Sequence, residues 1–354
     1  METKKYRFDE VTINFDKKRI PLSSAQREKR QGMFRYYGAQ GVIDHVDDYI
    51  FEGTYLLIAE DGENLKSKKQ NIAQVVDGQF WVNNHAHIVQ GNEQCDTRFL
   101  CYLINSMDLS GYITGSAQPK LSQANLNAVT LSLPTLAEQK RIVEYLYMLD
   151  QKIDVNRQIN DNLQQQAQAI YSSMFIDNPD PAWSHGHLSD LITVKYGKDH
   201  KKLADGIYPV YGSGGIMRYV ERPLYNEESV LIPRKGTLNN VMYVNQPFWS
   251  VDTMFYTEMK LPNVAKFVYH FVKAKDLASM NAGSAVPSMT TDILNAMEVV
   301  IPSTSALEEF ESLVAPMYEA MEANDVQSKA LSQMRDTLLP KLMSGEIDVS
   351  DVQL

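Results

Sequence analysis

The chain has 354 residues, of which 44% are hydrophobic and 22% charged, and its net charge is −10. This length suits two domains or slightly more, and the composition is that of a soluble globular protein. No apolar run reaches the roughly 18 residues that span a bilayer, and the first residues lack the apolar core of a signal peptide, so we expect a cytoplasmic protein. The two cysteines, Cys95 and Cys101, are too few for a disulfide framework or a four-cysteine zinc site.

The acidic residues are concentrated in two segments of the chain. Residues 134–182 hold 4 basic and 7 acidic residues, and residues 303–354 hold 3 and 10. The larger blocks are nearly neutral, with 15 basic and 16 acidic residues in 1–133, and 12 basic and 11 acidic residues in 183–302. A neutral block can still carry a basic face, so the net charge does not exclude DNA as a partner, although composition alone does not indicate it.

The predicted elements alternate between mixed blocks and long helices. Residues 1–133 contain short strands such as Thr54–Ala59 and a helix near Asp96–Met107. A long helix follows over 134–178 and ends at a proline-rich linker. Residues 183–302 again read as strands, such as Ser229–Pro233, with a helix near Val264–Leu277. A second long helix follows over 303–347.

An internal repeat explains this alternation. Glycine turns, a Phe-Trp pair, a Gly-Ser-Ala turn and the ends of both blocks recur in the same order. The turns match at an offset of 174 and the other landmarks at 168, as follows: Tyr37–Val42 with Tyr211–Ile216, Phe80-Trp81 with Phe248-Trp249, Gly115–Pro119 with Gly283–Pro287, Leu126–Ala128 with Leu294–Ala296, and Leu133-Pro134 with Ile301-Pro302. The first copy therefore has six extra residues between the turn and the Phe-Trp pair.

Both long helices carry a heptad seam with a polar centre. The seam positions are Ile142, Leu146, Leu149, Ile153, Asn156, Asn160, Leu163, Ala167, Ile170 and Met174, and then Phe310, Val314, Met317, Met321, Asn324, Ser328, Leu331, Arg335, Leu338 and Leu342. Antiparallel pairing would bring Asn160 near Asn324 and Asn156 near Ser328, and such polar positions specify register. Pro316 and Pro340 lie within the second helix, where a proline costs about 3 kcal/mol, so this helix could instead begin at Pro316.

Several of these segments resemble one family. Leu133-Pro-Thr-Leu-Ala-Glu-Gln-Lys-Arg-Ile142, Leu149–Asp154 and Asn160–Ile170 closely resemble the central helix of type I restriction-modification specificity subunits. Leu338–Ile347 resembles the closing helix of that family, and Leu231–Gly236, Phe248-Trp249 and Gly115–Ser122 resemble its target-recognition domains. The start of the second helix, Thr304–Phe310, departs from the pattern kept at 137–142.

The resemblance implies an α+β architecture with pseudo-two-fold symmetry. Two target-recognition domains, 1–133 and 183–302, would be separated by two long antiparallel helices that form a coiled coil and set the gap between two half-sites. Each domain would read one half of a split, asymmetric site in double-stranded DNA. Two methyltransferase subunits that use S-adenosylmethionine would dock on the helices, and a restriction subunit could add ATP and Mg²⁺. No cofactor is expected on this chain itself.

Candidate DNA-contacting residues lie in loops of both blocks, because base edges are read by Arg, Lys, Asn and Gln and phosphates by Lys and Arg. The candidates in the second block are Lys198, Lys201, Ser213, Arg234, Lys235, Thr237, Asn239 and Asn240, and those in the first are Lys66, Lys68, Lys69, Asn83, Asn84, Gln118 and Lys120. Solvated turns and plain charged loops are the competing interpretations. The two Phe-Trp pairs favour core positions over base-stacking platforms, and His85 with His87 lacks a third metal ligand.

No catalytic or phosphate-binding motif is present in the sequence. The chain is therefore predicted to be a non-catalytic specificity subunit. The alternative is a DNA-independent adaptor that uses its helices to assemble enzyme subunits.

Overall fold

The computed structural model describes residues 2–67, 70–115, 118–280 and 288–347. They form two compact units that divide within both long helices. The first unit holds the described residues before Asn156 and after Asp325, and the second holds residues 156–325. Each unit therefore contains one mixed block and a segment of each long helix.

The described part of the first unit begins with ten strands and four short α-helices. The strands are β1 (Lys4–Arg7), β2 (Thr12–Asn14), β3 (Gln31–Gly38), β4 (Gly41–Val46), β5 (Phe51–Glu52), β6 (Tyr55–Ala59), β7 (Ala73–Val76), β8 (Gln79–Val82), β9 (Ala86–Gly91) and β10 (Thr130–Leu133). The helices are α1 (Ser24–Glu28), α2 (Asn64–Ser67), α3 (Thr97–Ser106) and α4 (Gln123–Asn127). The strands pair as β1-β10, β2-β9-β6-β7 and β4-β3-β8-β5.

The long helix α5 (Leu136–Ser172) follows, with a π-helical end at Ser173–Asp177. Gln139, in the motif at the start of this helix, is fully buried and links the helix start to the first unit by hydrogen bonds. Gln139 donates to the carbonyls of Pro134 and Gln94, both at 2.9 Å, and accepts from the Asp96 amide at 2.9 Å. This motif residue is therefore part of the packing in the first unit.

The second unit repeats the same plan. Its strands are β11 (Ser184–His187), β12 (Ile192–Tyr196), β13 (Asp205–Gly212), β14 (Gly215–Val220), β15 (Ser229–Pro233), β16 (Met242–Val244), β17 (Trp249–Ser250), β18 (Met254–Met259) and β19 (Glu298–Ile301). Its helices are α6 (Leu188–Leu191), α7 (Ala265–Lys273), α8 (Thr291–Asn295) and the long α9 (Thr304–Ser344), which ends in the first unit. The pairing is β11-β19, β12-β18-β15-β16 and β14-β13-β17.

The internal repeat is thus confirmed at the level of strand order. Hairpins β3-β4 and β13-β14 have their register shifts at corresponding residues, and β3 and β13 each take a parallel partner that carries the Phe-Trp tryptophan. The Phe-Trp side chains are core residues, as the sequence favoured, because none is more than 7% exposed. The Gly283–Pro287 turn and residues 116–117 lie outside the described residues.

The antiparallel pairing of the long helices is confirmed within each unit. In the second unit, the Asn324 amide donates to Asn160 Oδ1 at 2.8 Å, while Tyr171 packs against Phe310 with ring centroids 6.2 Å apart. In the first unit, Arg335 pairs with Asp150 at 2.6 Å, and Leu342 lies in the same buried cluster as Ile142 and Leu146. Residue numbers therefore rise along one helix as they fall along the other.

The seam positions predicted for both helices are all buried or half-buried. Asn156 is fully buried and its amide donates to the Asn324 carbonyl at 3.4 Å. Asn160 also donates to Asp325 Oδ1 at 2.8 Å, so the polar centre is a hydrogen-bonded layer.

The second helix does not begin at Pro316. It runs from Thr304 through both prolines, whose side chains are exposed. On the solvent side, a carbonyl that loses its helical partner to proline can bond water instead. Burial of Phe310 and Val314 before Pro316, and of Leu342 after Pro340, offsets the cost of the prolines.

Candidate nucleic-acid interface

The loop after β15 presents the densest group of candidate residues in the second unit. The Arg234 amide donates to the Thr253 carbonyl at 2.9 Å, and its guanidinium lies 5.4 Å from the centre of the Tyr196 ring. Arg234 Nη1 also donates to the Asp252 carbonyl at 3.3 Å. The arginine is thus half-buried and held in place, whereas Lys235 beside it is exposed.

The remaining residues of this loop divide into structural and exposed members. Asn240 donates to the Ser213 carbonyl at 2.8 Å, which joins the loop to the glycine turn of β13-β14. Asn239 donates to Asp276 at 3.0 Å and accepts from the Ala278 amide at 2.9 Å, so its amide holds the loop. Thr237 is exposed.

Gly236 is required where the two loops approach each other. Its φ of +87° lies in the left-handed region, and a Cβ there would lie 2.6 Å from Ser213 Oγ. Ser213, Arg234 and Asn240, which are separated along the chain, therefore lie in one loop cluster.

The predicted lysines of the 197–204 loop are both exposed. The Lys198 amide donates to the Ser250 carbonyl at 2.8 Å, and the Lys198 carbonyl accepts from Trp249 Nε1 at 2.8 Å. The backbone of Lys198 is thus fixed beside the same turn that receives Arg234. The backbone amide of Lys201 donates to Asp199 Oδ1 at 3.0 Å.

The first unit places its candidates less uniformly. Lys66 is exposed and donates to the Gly115 carbonyl at 3.0 Å, and Lys68 and Lys69 lie outside the described residues. Asn83 is 7% exposed and accepts from the His85 amide at 2.8 Å, so it shapes a turn. Asn84, Gln118 and Lys120 are exposed.

Two residues that the sequence reasoning did not single out for DNA contact, Glu60 and Asp61, lie beside Lys120. Lys120 Nζ contacts Glu60 Oε1 at 3.3 Å, and His85 Nδ1 contacts Asp61 Oδ2 at 2.7 Å. Glu60 and Asp61 follow β6 as Arg234 and Lys235 follow β15. The repeat offset of 174 relates Arg234 and Lys235 to Glu60 and Asp61, so the sequence alone contained the signal for this pair.

His87 has a structural role. Its Nδ1 lies 2.6 Å from Asp16 Oδ2, and its Nε2 lies 2.8 Å from the Leu121 carbonyl. Both partners are acceptors, so both ring nitrogens donate and the imidazole is charged. Burial opposes that charge, but the bonds to Asp16 and Leu121 prevail and raise the pKa of His87. Over the described ranges, no group of three or more His, Cys, Asp and Glu side chains has the geometry of a metal site.

The described part of the chain contains no helix that is both long and apolar enough to span a bilayer.

Comparison with known proteins identifies the family. A family model for the type I restriction modification DNA specificity domain matches residues 2–165 and 182–309. A Haemophilus influenzae protein assigned as a type I restriction enzyme specificity subunit is 26% identical over 365 aligned positions, covering 94% of each chain. The MjaIX type I specificity subunit of Methanocaldococcus jannaschii is 24% identical over 304 positions, covering 72% of this chain and 70% of the relative.

The fold is shared with a solved structure. The S subunit of the type I restriction-modification system from M. genitalium aligns with a TM-score of 0.64 at 16% identity, covering 97% of this chain and 96% of the other. The family match spans most of both repeats, and the structural match extends over the long helices. The chain belongs to the family of type I restriction-modification DNA specificity subunits.

Proposed function

We propose that this chain recognises a two-part, asymmetric sequence in double-stranded DNA, with one domain reading each half-site, while catalysis resides in partner subunits. The observation that carries this proposal is the repetition of one strand order on two units whose exposed loops differ in sequence and charge. Two equivalent scaffolds suit two contacts with similar DNA backbones, and different loops suit two different half-sites.

The distribution of charge supports DNA contact by the loops of the domains. Lys198, Lys201 and Lys235 are exposed on loops of the second unit, where they can neutralise phosphates. Most of the excess acid lies in residues 303–354, with 10 acidic and 3 basic residues. The closing helix is therefore a poor phosphate-binding surface.

The helices are proposed to dock two methyltransferase subunits. In the first unit, their solvent-facing surface exposes aliphatic side chains at Met148, Val155, Val326 and Met334, each at least 43% exposed. Apolar side chains on the outside of a paired helix suit contact with another protein. The methyltransferases would supply S-adenosylmethionine and act on DNA in the cytoplasm, and a restriction subunit, where present, would add ATP and Mg²⁺.

The experiment is co-expression with the methyltransferase subunits of the same restriction-modification system, followed by genome-wide mapping of methylated adenines. We expect a bipartite motif with two dissimilar halves and a fixed gap. Exchanging residues 1–133 for those of another specificity subunit should change one half only. A single continuous motif would contradict the proposal.

A binding measurement separates this function from the DNA-independent adaptor. The complex should bind random duplex DNA with an affinity that falls steeply as salt is raised, because phosphate contacts release counterions. A complex that assembles normally but has no salt-dependent DNA binding would favour the adaptor.

A further inference from the structure

One short segment has the same backbone contacts in both domains. The Glu60 amide donates to the His85 carbonyl at 2.9 Å, as the Arg234 amide does to the Thr253 carbonyl. The carbonyls of Glu60 and Arg234 then accept from the amides of residues 121 and 289, at 2.8 and 2.9 Å. Residues 60 and 234 are therefore held by equivalent bonds.

The next residue in each domain forms an isolated antiparallel bridge. Asp61 pairs with Lys120, and Lys235 pairs with Ser288. These bridges and the preceding bonds define two equivalent platforms: the first consists of Asp61, His85 and Lys120, and the second of Lys235, Thr253 and Ser288.

At the first platform, Asp61 and the adjacent Glu60 each have a side-chain partner. Asp61 accepts from His85 at 2.7 Å through one carboxylate oxygen, and Lys120 contacts the adjacent Glu60 at 3.3 Å. The His85 and Lys120 side chains remain 52% and 53% exposed. This platform therefore presents a carboxylate acceptor beside the His85 imidazole and the Lys120 ammonium at the surface.

The second platform has the opposite charge at its centre. Lys235 is exposed between half-buried Thr253 and Ser288, and within the described ranges its ammonium forms no ion pair. Arg234 beside it is fixed over Tyr196. Two cations thus stand where the first domain has two carboxylates, although the backbone bonds are the same.

We propose that the two platforms read bases, and that the charge inversion between Asp61 and Lys235 makes the two domains select different base edges. This inference rests on the proposed function. An ammonium donor suits the O6 and N7 acceptors of guanine, and a carboxylate acceptor suits the amino group of cytosine or adenine. The second half-site then includes a guanine read by Lys235, and the first includes an amino-bearing base read by Asp61.

The test maps methylated adenines for the co-expressed complex with Lys235→Gln, and separately with Asp61→Asn. Lys235→Gln replaces an exposed side chain that forms no ion pair with the residues that the structure describes, so the domain should still fold. We expect the preference for guanine at one position of the second half to weaken by roughly tenfold, with the first half and the gap unchanged. Asp61→Asn should affect one position of the first half only.

The control is Lys195→Gln, which replaces a half-buried lysine of the same domain that pairs with Glu258 at 3.3 Å. The control should leave the motif unchanged. Wild-type motifs and methylation levels in both platform variants would overturn the inference. A second result would also overturn it: the Lys235→Gln complex loses affinity by the same factor for all DNA sequences, and its affinity depends less steeply on salt. That pattern marks a phosphate contact.

These failures differ from failure of the proposed function. If the platforms do not read bases, the wild-type complex still methylates a bipartite motif. If the wild-type complex produces no bipartite motif, the proposed function itself is wrong.

Discussion

The stability of the second unit should depend on pH through one buried histidine. His270 is fully buried, with Nδ1 2.8 Å from Gln168 Oε1 and Nε2 3.0 Å from the Tyr318 hydroxyl. The amide oxygen accepts from Nδ1 and the hydroxyl donates to Nε2, so the geometry suits a neutral ring. Burial lowers the pKa of His270 from 6.5 to about 4.

The direction and size of the effect follow from this pKa. Between pH 6.5 and 4, the unfolded chain binds a proton at His270 that the folded chain does not, so stability falls as the pH is lowered through that range. The difference between the two pKa values of His270 corresponds to about 3 kcal/mol of folding stability in total, and about 2 kcal/mol of this is lost between pH 7 and pH 5.

The assay is urea-dependent hydrogen exchange of peptides from α7, which contains His270, at pH 7 and pH 5. The unfolding free energy of the wild-type protein should fall by about 2 kcal/mol more than that of His270→Gln, which cannot titrate. Titration of groups common to both proteins cancels in this difference. Equal losses in the two proteins would refute the argument.

Three further predictions concern other parts of the chain. In the first unit the pH dependence of stability has the opposite sign, because the pKa of His87 is raised in the folded protein. The contribution of His87 to the unfolding free energy is fully present below pH 6.5 and is lost as the pH rises through the folded pKa. Peptides from β9 should therefore lose protection from hydrogen exchange at alkaline pH in the wild type but not in His87→Gln. Asp96→Ala should cost about 1 kcal/mol in urea unfolding, because Asp96 Oδ1 accepts from two amides at the start of α3, whereas Asp96→Asn should cost less. Asn160→Leu should change the unfolding free energy by less than about 2 kcal/mol, since leucine burial offsets the lost bonds to Asn324, Asp325 and Met321. Engineered cysteine pairs should then crosslink in more than one helix register, and a single register would contradict this.

Local patterns in the sequence were sufficient for the elements whose signal is periodic or repeated. The heptad spacing placed α5 and α9 on a common seam, because the side chains on one helical face recur every three or four residues. The offsets of 174 and 168 established two equivalent domains before any contact was known. The Phe-Trp pairs were expected in the core and lie there.

Only the tertiary structure decided which side chains meet in the loops. Asp61, His85 and Lys120 come from three separate segments, and strand pairing brings them together, so no spacing in the sequence shows that they meet. The continuation of α9 through Pro316 was likewise decided by the burial of flanking residues against the second unit's core. Helix faces follow from neighbours along the chain, whereas ion pairs between loops depend on how distant strands are ordered and aligned.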